Sequence, residues 1–385
     1  MFCGSNELTT LNVNTALLKL YCEYNQLTEL NISQSLALKE LDCNNNQLTT
    51  LDVSQNTVLT DLVCGDNPLT TLDVSKNTEL LYFSCSDCQL TALDLSHNTQ
   101  LGTLWCNSNP LKTLDLSKNT SLRFLSCVSN GLTTLDVSHN PELSILQCSS
   151  NQITELDISQ LTELTSLVCP DNRLTALDLS QNTELTDVTC GGNQLTELDV
   201  SKNTKLEQLS CNNNRLTELS LKQNPALTWL GCSSNKLTEL DLSHNAKLGT
   251  LYCNGNLLTS LNGNSNPEMY WIECNNNQLT TLDVSAQAEL MRLECSGNKL
   301  MTLDVSKNTE LATLFCAYNE LTTLDISRNT ALRNLNCSYN PGDGVSVFPV
   351  TAWFDNASIP NNISLYEHEW WYDDSHIFLD FRKAE

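Results

Sequence analysis

Cysteine recurs at a fixed interval along most of this chain of 385 residues. The interval is 21 residues from Cys22 to Cys337, and Cys3 begins the series with a first interval of 19 residues. Repetition at a fixed short period indicates a solenoid, in which each unit packs against its neighbours and the stack buries one continuous core. That interpretation overrides the two or three globular domains that the length alone suggests. The members of the series are Cys3, Cys22, Cys43, Cys64, Cys85, Cys106, Cys127, Cys148, Cys169, Cys190, Cys211, Cys232, Cys253, Cys274, Cys295, Cys316 and Cys337.

Each 21-residue unit contains two nested versions of the pattern LxxLxLxxN, for example in residues 59–67 and 48–56. In the first version, cysteine fills the third apolar position. The period of two in a strand then turns Leu62 and Cys64 inward. Stacked units would place these strands side by side in a parallel sheet, about 4.8 Å apart. The pattern is typical of a leucine-rich repeat.

Two inward columns accompany the predicted sheet. The cysteines are interpreted as reduced thiols that pack as small apolar groups, with disulfides or a metal as the open alternative. Asparagine follows the cysteine by three residues in sixteen of the seventeen coils, which predicts a buried amide column that hydrogen-bonds the turn after the strand. Cys88 is the exception, and its CxxC with Cys85 is interpreted as a substitution in the column rather than a redox motif. Gly263 replaces an inward apolar residue, which should loosen the stack or let another group approach the backbone.

The complete pattern, LxxLxCxxNxLTxLDVSxN at a period of 21 residues, resembles the bacterial leucine-rich-repeat surface proteins of the internalin family, in particular the internalin J type with cysteine-substituted coils. The resemblance covers residues 3–340. It implies a curved solenoid with the cysteine-bearing strand on the concave side, secretion or display on a bacterial surface, and adhesion to host molecules. It carries over no catalytic residue, so no enzyme is expected. The chain shows no amino-terminal cap, signal peptide or LPxTG-type anchor, and we expect a signal and a cap upstream of Met1.

The predicted fold class is therefore an α/β-type repeat solenoid: a right-handed leucine-rich-repeat stack with a parallel sheet on the concave face and short irregular or β convex segments. Residues 1–340 form this solenoid of about 17 coils. The breaker cluster after Pro341 ends the repeat, and the aromatic-rich residues 341–385 are predicted to form a C-terminal β cap, with a hairpin at its end. The start of a further β domain is the alternative.

Charge restricts the classes of partner. The formal net charge is −25, so phosphate backbones and anionic membranes would be repelled, whereas basic partners would be attracted. No run of 18 apolar residues occurs in the sequence, so we do not expect a membrane-embedded chain. No motif calls for a cofactor, and the predicted partner is a host or surface protein or glycoprotein.

Aromatic residues recur at the outward positions of the cysteine-bearing strands, which vary most from coil to coil. The first patch comprises Tyr82, Trp105 and Phe124, and the second comprises Trp229, Tyr252 and Trp271 with Glu273 and Arg292 beside it. Exposed aromatic side chains form interface hot spots, so both patches are predicted to bind ligand, with the second favoured. The competing interpretation is that aromatic residues are good strand formers that simply cover one another.

Aspartate fills the outward site before the valine or leucine of the second motif in most coils, for example Asp52 and Asp73. Hydrogen bonds from the following Ser and Thr would offset the repulsion between carboxylates at this spacing. The alternative hypothesis is weak calcium binding along this row. It would make the chain a cation-bridged spacer or stalk without a specific ligand. Glu367-His368-Glu369 and Asp373-Asp374-Ser375-His376 could together hold a metal, although scattered charges on a cap are the preferred interpretation. No metal ligand is therefore assigned.

Overall fold

A computed structural model describes residues 1–366 and 369–384 of the chain. These residues form short strands and turns, and no helix occurs among them. The described part therefore contains no helix long and apolar enough to cross a membrane. The chain divides into two compact units, Met1–Gln194 and Leu195–Glu385.

In the first unit, nine three-residue strands begin 21 residues apart, and each precedes a ladder cysteine. Successive strands pair in parallel and in register, so that, for example, Leu41 lies opposite Leu62. The strands are β1 (Lys19–Tyr21), β2 (Glu40–Asp42), β3 (Asp61–Val63), β4 (Tyr82–Ser84), β5 (Thr103–Trp105), β6 (Phe124–Ser126), β7 (Ile145–Gln147), β8 (Ser166–Val168) and β9 (Asp187–Thr189).

The second unit continues the same pattern and adds further pairings. The strands that precede its ladder cysteines form a parallel sheet, called here the first sheet in both units, and β13 pairs with β15 in a second sheet built from the second motif. The strands are β10 (Gln208–Ser210), β11 (Trp229–Gly231), β12 (Thr250–Tyr252), β13 (Ser260–Asn262), β14 (Trp271–Glu273), β15 (Thr281–Asp283), β16 (Arg292–Glu294), β17 (Thr313–Phe315), β18 (Leu324–Asp325), β19 (Asn334–Asn336), β20 (Val347–Ala352), β21 (Ser364–Leu365), β22 (Glu369–Tyr372) and β23 (Ser375–Lys383).

The alternation of burial follows the predicted period of two. In β3 the central Leu62 is fully buried, as is the ladder residue Cys64, whereas Asp61 and Val63 on either side of Leu62 are half-exposed. The leucines of both motifs and the ladder cysteines share one core in each unit. The sequence-based prediction of a parallel-stranded leucine-rich-repeat solenoid is confirmed, and its non-sheet segments are turns rather than helices.

The asparagine column supplies coil-to-coil hydrogen bonds outside the sheet, in addition to those of the backbone. Asn172, which is 7% exposed, donates from Nδ2 to the carbonyl oxygens of Cys148 at 3.0 Å and Cys169 at 3.2 Å. Its Oδ1 accepts the backbone N–H of Ile153 at 3.1 Å. One side chain thus satisfies backbone groups of adjacent coils that are buried away from water. At the exception, Cys88 makes only weak contacts from Sγ, for example 3.6 Å to the carbonyl oxygen of Cys64.

The thiol column is buried. No disulfide bond forms among the described residues, and every cysteine except Cys3 is buried. Burial raises the pKa of Cys106 and Cys148 to about 12 each, because an apolar surrounding disfavours the thiolate. The raised pKa values fit the interpretation of the column as small apolar groups and not as reactive thiols.

The glycine at position 263 is compensated by the next coil. Gln287 stands where most other coils have asparagine, and it donates from Nε2 to the carbonyl oxygens of Gly263 at 2.6 Å and Asn266 at 3.1 Å. A Cβ atom added at Gly263 would lie 3.2 Å from that Nε2. The longer amide side chain therefore occupies space that an apolar residue fills in other coils, and the group that approaches the backbone is Gln287 itself.

This pairing predicts strong coupling between two substitutions. Gly263→Val alone is expected to destabilise the fold by about 2 kcal/mol through overpacking, and Gln287→Asn alone by about 1 to 2 kcal/mol through a cavity. The double variant restores the residues of a regular coil, so its stability should return close to that of the parent. Denaturant unfolding of the four proteins measures this cycle, and additive losses in the double variant would contradict it.

The residues after Asn340 extend the first sheet and form a separate four-stranded sheet with β18 of the last coil. β21 pairs in parallel with β19 of the first sheet, and β20 pairs in parallel with β18. β22 and β23 form an antiparallel hairpin, and β23 also pairs with β20. The buried face of this sheet carries Phe348, Trp370, Ile377 and Phe381. Covering the open core of a solenoid end is the role we continue to propose for this segment.

Candidate ligand-binding face

The second aromatic patch lies on four adjacent parallel strands of the first sheet, β11, β12, β14 and β16, and Arg292 extends it to the neighbouring strand β17. The Trp229 and Tyr252 rings lie 5.5 Å apart between centroids, and the Tyr252 and Trp271 rings 6.0 Å apart. Arg292 then lies over Trp271 at 4.7 Å and within 5.9 Å of Phe315. Outward positions on neighbouring strands are close enough for such contacts. The result is one continuous row of rings and a guanidinium about 19 Å long.

The structure thus brings together the predicted residues of the second patch. It also adds two residues that the sequence analysis missed. Phe315 follows Arg292 in the row, and the ring of Tyr366 contacts Phe315 at 5.3 Å. Phe315 occupies the same kind of outward site as Tyr252, so its signal was present in the repeat. Tyr366 comes from the segment after the repeat, where no periodicity predicts its position. We call the row Trp229, Tyr252, Trp271, Arg292 and Phe315 the aromatic row.

A glycine permits the orientation of the first ring. Gly231 is the next outward position after Trp229 on β11, and a Cβ atom there would lie 2.7 Å from the Trp229 ring. The indole therefore extends along the strand over Gly231 and stays half-buried. Any larger residue at that position would displace the ring.

Two glutamates surround Arg292. Its guanidinium makes a hydrogen-bonded ion pair with Glu294 and lies 3.8 Å from the Glu273 carboxylate. The indole Nε1 of Trp271 donates to Glu273 Oε1 at 2.9 Å, and Asn254 Nδ2 donates to Glu273 Oε2 at 3.0 Å. These bonds hold the charged groups in place beside the rings. Two carboxylates against one guanidinium leave this part of the face acidic.

A groove adjoins the aromatic row where the strands begin. It has a volume of about 780 Å³ and runs from Trp229 past Gly249 and Tyr270 to Ala286 and Ala288. Most coils carry Lys, His or Gln at the site of Ala286 and Thr at that of Ala288. The small side chains therefore create the groove. A comparison of these two positions among the coils would have predicted it from the sequence.

The first patch is less continuous. The Trp105 and Phe124 rings are 4.3 Å apart between centroids, with an angle of 31° between their planes. Tyr82 occupies an outward position on the neighbouring coil but is not part of this ring pair among the described residues. Its pKa is raised, first by burial and then by the charges of Asp42 and Asp61. The first patch thus offers a pair of rings and not an extended row.

The aspartates of the second motif cap their own turns. Asp52 Oδ1 accepts the backbone N–H of Ser54 at 2.9 Å, and Asp73 Oδ1 accepts that of Ser75 at 2.8 Å. The pKa of Asp52 is lowered, chiefly by this backbone hydrogen bond. Such turns account for the row without a cation. Residues 1–366 and 369–384 contain no group of three or more His, Cys, Asp or Glu side chains arranged to hold a metal ion.

The alternative metal cluster at the chain end can be located only in part. Glu367 and His368 lie outside the described residues. Of the remainder, Glu369 lies 3.7 Å from His376 across the hairpin. Asp373 and Asp374 form the turn of that hairpin, with φ angles of 47° and 65°.

The functional domain of InlJ from Listeria monocytogenes, which includes a cysteine ladder, is similar in sequence as well as structure. The two chains are 36% identical, the match covers 88% of this chain and 69% of the InlJ chain, and the TM-score is 0.61. The chain belongs to the internalin family. A leucine-rich-repeat protein of Leptospira interrogans also matches, with 26% identity, 89% and 90% coverage of the two chains, and a TM-score of 0.75.

More distant neighbours share the fold of this internalin. The plant receptor kinase HAESA of Arabidopsis, solved in complex with the peptide hormone IDA and the co-receptor SERK1, is 18% identical. That match covers 87% of this chain and 67% of the receptor chain, with a TM-score of 0.66. These neighbours are repeat proteins and indicate no catalytic family. A scan against protein-family models finds no match, and a search of curated proteins also finds none.

Proposed function

We propose that this internalin is a non-enzymatic recognition module that binds a protein or glycoprotein outside the bacterial cell, through the outward face of its first sheet. The observation that carries the proposal is the aromatic row, which links side chains of five adjacent strands through direct contacts. Aromatic and arginine side chains dominate the binding energy of protein interfaces. The location outside the cell follows from the family resemblance.

Rigidity supports the same conclusion. The backbone under the aromatic row is a parallel sheet in register, and Glu273 beside Arg292 is held by hydrogen bonds from Trp271 and Asn254. A preorganised face loses less conformational entropy on binding than a mobile loop does. The adjoining groove gives the face a concave region in which a side chain or a sugar could be buried. A neighbour of this fold, HAESA, was solved in complex with a peptide hormone.

The test is a binding screen of the purified chain against glycans and host glycoproteins, followed by affinity measurements with Trp229→Ala/Trp271→Ala. Loss of two aromatic side chains of the row should weaken binding by about 100-fold or more. The matched control is Trp105→Ala/Phe124→Ala, which removes two contacting rings from the first patch and should leave the affinity within about threefold. Thermal unfolding of each variant shows whether the fold is retained.

The opposite pattern of losses would transfer the site to the first patch and overturn the assignment to the aromatic row. Absence of binding to any component, together with a melting temperature that rises with millimolar calcium and falls with EDTA, would favour the cation-bridged spacer instead. Binding that is retained in both double variants would remove the first-sheet face from consideration altogether.

A further inference from the structure

The terminal hairpin has apolar side chains on both faces. Trp370, Ile377 and Phe381 point into the core, as the alternation along β22 and β23 requires. The opposite face should then be polar, yet Trp371 is 62% exposed and Phe378 39% exposed on it. An exposed aromatic patch on a strand pair normally marks a surface that another molecule covers. Among the described residues, no other segment covers this face.

The exposed side chains form one ordered stack. Trp371 and His376 are partners in the antiparallel register, and their rings lie 4.8 Å apart with only 15° between their planes. Phe378 continues the stack, 4.2 Å from His376 between ring centroids. The outer face of Trp371 is left open at the end of the stack. We call Trp371, His376 and Phe378 the hairpin stack.

Carboxylates surround the hairpin stack. Glu369 is opposite Phe378 in the register and lies 3.7 Å from His376, and Asp373 and Asp374 form the adjacent turn. Asp380 is the next outward position after Phe378, but Arg382 neutralises it through an ion pair of 2.8 Å. Glu369 and the turn aspartates therefore make the rim of the stack acidic.

We propose that the hairpin stack binds a basic segment of another protein, with an arginine side chain stacked on Trp371 and paired with Glu369. A guanidinium is planar, so it can lie flat on an indole while its N–H groups donate to a carboxylate. The net charge of −25 favours a cationic partner at long range and opposes pairing with a second copy of this chain. This surface lies in the C-terminal segment and is independent of the aromatic row.

Fluorescein-labelled hexa-arginine is a suitable probe, with fluorescence anisotropy as the measurement and hexalysine for comparison. A chain of this charge attracts any polycation, so the informative variant must leave the charge unchanged. Trp371→Ala does so, and it should weaken hexa-arginine binding by about tenfold, because the stacking partner is lost. Hexalysine should bind several-fold more weakly than hexa-arginine to the parent chain and lose little in the variant. Glu369→Gln should weaken hexa-arginine binding mainly at low salt.

The matched control is Trp105→Ala, which removes a half-exposed tryptophan from the first unit and should leave hexa-arginine binding unchanged. Equal binding by the parent and by Trp371→Ala would overturn the proposal and assign the peptide to the acidic surface in general. Self-association that disappears in Trp371→Ala would also overturn it, because a second copy would then occupy the face. An unchanged melting temperature of Trp371→Ala confirms that the exposed substitution has not disrupted the hairpin.

Discussion

Raising the pH from 8 to 10 is expected to unfold the protein, because the buried ladder thiols ionise in the unfolded chain before they ionise in the folded one. Burial raises the pKa of Cys106, Cys148 and Cys190 from an ordinary value of 9.0 to about 12, and it also raises the pKa of other buried ladder thiols such as Cys43 and Cys169. The folded-state pKa is above the unfolded-state pKa, so the stabilisation is complete below pH 9. It is lost as the pH rises from about 9 towards 12, because the unfolded chain releases protons that the folded chain retains.

The expected effect is large because the column repeats. Each buried thiol lowers the unfolding free energy by about 1.4 kcal/mol per pH unit in this window. Seventeen of the cysteines are buried. At pH 10 their combined loss is about 24 kcal/mol, which exceeds the roughly 5 to 15 kcal/mol that stabilises an ordinary domain.

Thermal or denaturant unfolding between pH 7.5 and 10, under a reductant and without oxygen, measures this effect. The triple variant Cys148→Ala/Cys169→Ala/Cys190→Ala is the control. Its stability at neutral pH will be lower, but its slope with pH should be shallower by about 4 kcal/mol per pH unit. A melting temperature at pH 10 within a few degrees of that at pH 7.5 would show that the thiols do not control the alkaline limit.

Asn172→Leu is expected to destabilise the fold by about 4 kcal/mol or more. The substitution removes the Nδ2 donor to the Cys148 and Cys169 carbonyls and the Oδ1 acceptor of the Ile153 N–H. These groups are buried between coils, where water cannot replace the lost partner, and each unsatisfied group costs about 1 to 3 kcal/mol. The branched apolar side chain cannot form a hydrogen bond in return.

Gln160→Leu provides the matched control for the loss of an amide in the same unit. Gln160 is exposed, and its Nε2 reaches only Ser159 Oγ at 3.4 Å, so a change within about 0.5 kcal/mol is expected. Denaturant unfolding followed by circular dichroism compares the two variants with the parent. Similar small losses in both would mean that the amide column is not a major source of stability, and the role assigned to it would be wrong.

The inward half of the molecule was predictable from the sequence because stacking imposes one constraint on every coil. Leu62 and Cys64 must point inward for the same reason as their counterparts 21 residues away, and the repeated asparagine must serve the same turn. The interpretation of the aspartate row as turn-capping residues was also available, since Ser54 follows Asp52 by two residues in the pattern. Periodicity is sufficient for these features because each depends only on the neighbouring coils.

The contacts among the outward side chains could be seen only in the tertiary structure. The sequence placed Trp229, Tyr252, Trp271 and Arg292 on one face, but only the structure shows that Arg292 links the rings to Phe315, because side-chain conformations decide which outward groups touch. The compensation of Gly263 by Gln287 likewise requires knowing where the longer amide extends.

The sequence by itself determined the repeat, its register and its buried columns, since a period of 21 residues can bury its leucines and cysteines in one continuous core. The tertiary structure alone decided how the segment after Asn340 extends the first sheet and pairs with β18, and that Trp370 is buried while Trp371 is exposed. No neighbouring copy repeats those residues. Their positions therefore follow from pairing between strands that are distant in the chain, a contact that local pattern does not encode.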